Sequence, residues 1–136
     1  MSPAIRILVL RANAVFLLIA SVGGLITDIA GSFFGKGAET AILHNASGAG
    51  IGFIEAHGLA LIIGVLLWGA APLRSWHLTA TAVHLLLGSA NLAFWRFFIE
   101  ADLLAVGYVT TGLHGTFAAL QLASALSMKH LKMSAA

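Results

Sequence analysis

The residues able to do acid–base or ligand chemistry are few: 5 Asp and Glu, 7 Lys and Arg, 6 His and no cysteine in 136 residues. Asp28, Glu55, His57, Arg96 and His114 are the parts of proton-coupled chemistry on a lipophilic ring such as a quinone, since histidine titrates near neutrality. On this reading Glu55, His57 and His114 do the proton chemistry, while Asp28, His84, Asn91 and Arg96 hold the ligand. General acid–base isomerisation needs much the same parts. Neutral imidazole is also an iron ligand, so His57 and His114 form a candidate bis-histidine haem pair; no HExxH, CxxCH or Glu-x-x-His spacing accompanies it, and no set of residues reads as a metal site. The missing cysteines exclude disulfides, thiolate metal sites and cysteine nucleophiles.

The elements that must position these residues follow from composition. The chain is 60% hydrophobic and only 9% charged, where a water-soluble domain carries about a quarter charged residues. A net charge of +2 with dispersed basic residues offers no patch for nucleic acid. The lipid bilayer is the expected surrounding. Four stretches meet the roughly 20 apolar residues that a membrane-crossing helix needs: 7–30, 51–71, 77–99 and 104–128. Short turns at Pro72-Leu73-Arg74-Ser75 and Glu100-Ala101-Asp102 make neighbours antiparallel. The expected fold is one all-α membrane domain, a four-helix up-down-up-down bundle. Arg11 and Asn13 interrupt the first stretch and no small-x-small cleavage site follows it, so it reads as a retained helix rather than a signal peptide.

Ionisable residues in hydrocarbon are expensive and point inward by default. By position along the spans, Asp28, Glu55, His57, Asn91, Arg96 and His114 should converge on the outer half of the bundle. His77, Thr81, His84, Gly88, Asn91 and Trp95 fall on one helical face, as do Gly107, Thr111, His114, Ala118, Gln121 and Ala125. Small residues mixed with polar ones mark a helix-packing face. Glu55 and His57 lie about 200° apart around a helix, which puts Glu55 at the outer water boundary and His57 toward the bundle. Plainer roles compete with these. His84 and His114 would then be neutral imidazoles bonded to a carbonyl or to Asn91, and Arg96 would snorkel outward to Glu100 or Asp102. Asp28 opposes its own helix dipole, which calls for a cation, and Arg96 is the candidate.

Arg6, Arg11, Arg74, Lys129 and Lys132 flank one side of the spans, and Lys36 and Arg96 the other. The positive-inside rule therefore sets both termini and the Pro72 turn in the cytoplasm. Trp68 and Trp76 then fall at the inner boundary, and Trp95 and Tyr108 at the outer one. Asn45-Ala46-Ser47, in the outward loop, matches a glycosylation acceptor, a triplet common by chance.

With an arginine early in the first helix, Gly23-Gly24, Gly31 and Gly35 at its end, an outward loop and three further spans, the chain resembles the DoxX-like small membrane proteins. That resemblance implies a four-helix bundle in the bacterial inner membrane and a link to thiosulfate–quinone oxidation and redox stress. Glu55-Ala56-His57-Gly58, followed by Gly64 and Trp68, looks like the small hydroxylaminobenzene mutases, which are membrane isomerases. A transporter, expected to dimerise, or a non-catalytic accessory subunit of a larger complex is the remaining expectation.

Overall fold

The computed structural model describes residues 1–44 and 46–128. Asn45, Lys129 and Lys132, and with them the glycosylation triplet and part of the basic flank, lie outside the described residues. The described chain is helical: α1 Pro3–Phe34, α2 Thr40–Leu43, α3 Ser47–Gly69, α4 Arg74–Ala93, α5 Trp95–Glu100 and α6 Leu104–Leu126.

Local chemistry sets the ends. The hydroxyl of Ser2 accepts from the Ile5 amide at 3.3 Å and Pro3 opens α1, where its missing N–H would have no partner anyway. At the other end Gly35 takes φ 58°, and the Lys36 amide donates back to the Ala30 carbonyl at 3.0 Å, closing the helix as a left-handed glycine cap does. The first helix therefore outruns the expected 7–30. Pro72 disfavours helical backbone at the residue before it, and α3 stops at Gly69 rather than at 71. The expected span 77–99 is not one helix. It breaks at Phe94, with φ −104° and ψ 30°, so that α5 turns the aromatic cluster inward. Phe98 then covers Gly107, where a Cβ would sit 2.7 Å from its ring.

The contacts run in opposite directions along each packed pair. Along α1, Arg11 reaches Leu67, Gly64 sits on Leu17 and Leu18, and Asp28 meets His57, so α1 and α3 are antiparallel. His77 meets Gln121, His84 meets His114 and Asn91 meets Thr110, so α4 and α6 are antiparallel too. The side chains of Leu10, Ala14 and Leu17 from α1, Ala60 and Leu67 from α3, and Ala80 from α4 form the apolar core.

The distribution of polarity is inverted relative to a water-soluble bundle. Asn13, Asp28, His77, His84 and Gln121 are among the most buried side chains, while large apolar residues such as Ile19, Ile26, Leu59, Leu86, Val109 and Leu126 are exposed. Two helices, Pro3–Phe34 and the Gly48–Gly69 stretch of α3, are long and apolar enough to cross a membrane. Only 33% and 22% of their most apolar stretches are buried within the chain, whereas a core helix would hide most of that surface. The helices α4 and α6 fall short on average hydropathy.

Candidate functional site

The polar residues do not gather in a single outer hollow. They form two separate clusters, because α3 packs along α1 and its polar side chains cannot reach the α4–α6 seam.

The first cluster closes the α1–α3 pair at the C-terminal end of α1. Nδ1 of His57 lies 2.6 Å from Oδ2 of Asp28, whose side chain is fully buried. The close approach depends on Gly24, since a Cβ there would overlap the His57 ring. Glu39, in the loop ahead of α2, lies beside Asp28; its carboxyl is pushed up to about 7, first by burial and then by the Asp28 charge. A protonated Glu39 can donate to a neighbouring carboxylate, whereas two bare carboxylates would repel. The partner that answers Asp28 is thus a histidine, and not the expected Arg96. Arg96 instead bonds Glu100 at 2.6 Å on the surface, one turn along the same helix.

The second cluster is a hydrogen-bonded chain through α4, α6 and α1. Nδ1 of His77 meets Oε1 of Gln121 at 2.5 Å, and Nε2 of Gln121 donates to Oδ1 of Asn13 at 2.7 Å. Nδ2 of Asn13 donates to Nε2 of His84 at 2.6 Å, and Nδ1 of His84 faces Nδ1 of His114 at 2.8 Å. Phe16 and Phe117 stack against His84. Further toward the C-terminal end of α4, Asn91 donates to Thr110 at 3.1 Å and to Thr111 at 3.2 Å.

This chain floors a trough between α4 and α6. A groove of about 260 Å³ is bordered by His84, Gly88, Ser89, His114 and Gly115, and one of about 440 Å³ by Trp95, Tyr108 and Gly112. Leu92 and Thr111 border both, so the two are continuous. Glycines shape the trough. A Cβ on Gly88 would meet that of His114 at 3.2 Å, whereas Cβ atoms on Gly112 and Gly115 would meet nothing within 4 Å.

Of the residues singled out from the sequence, His84 and His114 come together, and Asp28 and His57 come together. Asn91 joins the trough through the threonines. Glu55 is exposed and shares a site with neither His57 nor His114. His57 and His114 engage different partners at different helix pairs, which separates the two halves of the expected haem pair. Sequence reasoning missed Asn13, Gln121, His77 and Glu39 as members of these clusters. Two of these left a signal: Asn13 lies about ten residues from the start of its helix, as His84 does from the start of its own, and Gln121 falls on the stripe of His114.

Arg11 sits at the opposite end of the α1–α3 pair, donating to the Leu67 carbonyl at 3.2 Å with its guanidinium 5.4 Å from the Trp68 ring. It therefore caps the C-terminal end of α3, where a cation is favoured. Compared with family models, curated proteins and solved structures, the chain matches none.

Proposed function

We propose that this chain crosses the bilayer four times and holds a lipophilic ring of the quinone type in the trough between α4 and α6. The observation that carries the reading is a buried imidazole pair, His84 and His114, at the floor of a largely apolar trough. Ligand sites in general combine apolar walls with a few placed polar groups.

Four crossings are supported by where the polarity lies. Among the residues that lower the average hydropathy of α4 and α6, His77, Thr81, His84, His114 and Gln121 are buried. Their outward faces carry Leu78, Leu85, Leu86, Val106, Val109 and Leu126, all exposed. A contiguous apolar exterior on that scale belongs in lipid. Arg6, Arg11 and Arg74 share one end, which supports a cytoplasmic setting for that end; the resemblance to DoxX-like proteins supports a bacterial inner membrane and a redox setting. Reporter fusions at Gly37 and Pro72 test the orientation: an internal Gly37 or an external Pro72 defeats it.

Quinone is preferred to haem because His57 and His114, the two halves of the expected haem pair, engage different partners at different helix pairs. It is preferred to acid–base isomerisation because the carboxylate of Glu55 lies away from both imidazoles. The test is solvent extraction and mass spectrometry of the purified protein, with titration by a decyl-substituted benzoquinone. Copurifying quinone, and binding lost on His114→Ala, is the expected result. No quinone, no binding and a Soret absorption band would replace this reading with haem; none of the three would leave an accessory subunit.

A further inference from the structure

The buried chain from His77 to His114 has a direction, and a backbone group fixes it. Nε2 of Gln121 touches both Oδ1 of Asn13 at 2.7 Å and the carbonyl oxygen of Val9 at 3.5 Å. A backbone carbonyl only accepts, so the Gln121 atom facing it is the amide NH₂, and Oε1 faces His77. Each following link is then determined. His77 donates from Nδ1 to Gln121, Gln121 donates to Asn13, and Asn13 donates to a bare Nε2 on His84. The proton of neutral His84 therefore sits on Nδ1 and points at Nδ1 of His114. His114, accepting there, carries its own proton on Nε2.

The reverse direction is worse at both ends. It would set the Gln121 oxygen against the Val9 carbonyl, two acceptors with no hydrogen between them. It would also put a proton on Nε2 of His77, which is fully buried and has no partner. With His77 donating from Nδ1, that Nε2 is a bare lone pair, and unmet acceptors are better tolerated in protein interiors than unmet N–H groups.

Nε2 of His114 has no partner among the described residues, its side chain is 8% exposed, and the ring borders the trough. One helical turn away, the Thr111 hydroxyl oxygen is engaged by Asn91, which leaves its hydrogen for the trough as well. On the α4 wall, Ser89 spends its hydrogen on the Leu86 carbonyl at 3.0 Å and offers lone pairs only. We propose that the Val9–Gln121–Asn13–His84 chain holds His114 as a hydrogen donor to the trough, so that the ligand engages it through a carbonyl oxygen and the oxidised ring binds more tightly than its hydroquinone. This rests on the quinone reading above. In it Gln121 and Asn13 are positioning residues, acting on the ligand only through His84 and His114.

The test uses the full chain in lipid nanodiscs and two measurements. Nitrogen-15 NMR of labelled histidine reads the tautomer without any ligand, with His114→Gln assigning the resonance; a protonated Nε2 and a bare Nδ1 are expected. Anaerobic titration with a decyl-substituted benzoquinone and its hydroquinone then reads the preference, expected to be about tenfold for the oxidised form, the scale of one net hydrogen bond. In Gln121→Met the preference should fall toward unity and the His114 resonance should shift toward a mixture of tautomers. A bare Nε2 on His114 in the unaltered protein overturns the assignment, whether or not any variant folds. A protonated Nε2 with equal binding of both rings overturns the ligand preference. A protonated Nε2 with no binding of either ring overturns the quinone reading itself and the preference with it, leaving the tautomer in place.

Discussion

The Nδ1 atoms of His84 and His114 lie 2.8 Å apart, so one proton, and only one, joins α4 to α6 at mid-height. Two protons there would set N–H against N–H, and none would set lone pair against lone pair. The single shared proton makes each ring's state depend on the other, and it ties both to Asn13 on a third helix. Interhelical hydrogen bonds in membranes contribute about 0.6 kcal/mol each on average, but removing one partner from a connected set strands the others.

Asn13→Leu is the sharpest test of that connection. It leaves Nε2 of His84 without a donor and the Gln121 amide with only the distant Val9 carbonyl. The expected loss is about 1–3 kcal/mol, the penalty of buried polar groups left unmet, read from detergent-mediated unfolding. A neutral Asn13→Leu would show that the chain carries no stability.

Gly24→Ala should act on a different pair. The new methyl overlaps the His57 ring, which must leave Asp28, and Asp28 is fully buried with its Oδ1 already unpartnered. Destabilisation of about 1–3 kcal/mol is expected. Gly23→Ala, where a Cβ meets nothing within 4 Å, is the control, and it should stabilise by up to about 1 kcal/mol through helix propensity.

Glu39 gives a pH dependence of defined sign. Its value in the fold, about 7, lies above the ordinary 4.5, so the folded state favours the protonated acid. The stability it contributes is fully present below pH 4.5 and is lost as pH rises through about 7. Amides of α2, such as Leu43 bonded to the Glu39 carbonyl at 2.9 Å, should lose exchange protection across that interval, after correction for intrinsic rates. Glu39→Gln should flatten the profile; an unchanged profile would remove Glu39 as its source.

Gly115→Leu should separate binding from folding. A Cβ there meets open space, and leucine is a better helix former than glycine by up to about 1 kcal/mol. The variant should be at least as stable as the parent, yet its side chain fills the trough beside His114, and quinone affinity should fall at least tenfold. Retained affinity would move the ligand elsewhere.

Much of the architecture was legible because lipid imposes long apolar helices and inward polar faces. His77, Thr81 and His84 could be placed on a buried stripe from spacing alone. What was not legible was which helices share an interface. Depth placed Asp28, His57 and His114 at comparable heights, but pairing is decided around the bundle axis, and residue spacing along one helix carries no information about its neighbour. Asn13 read as an interruption of an apolar run because its partners lie 71 and 108 positions away. The break at Phe94 was hidden for a similar reason: a run of aromatics looks continuous until Gly107, on the next helix, supplies the place into which Phe98 turns.

The trough opens along its length between α4 and α6 and has no cap of its own. If the chain crosses the bilayer as proposed, the mouth would face the acyl chains, and a guest would enter sideways from the hydrocarbon layer. Its occupancy would then follow how strongly the guest partitions into lipid, so lengthening an isoprenoid tail should raise apparent affinity while leaving every contact with the ring unchanged.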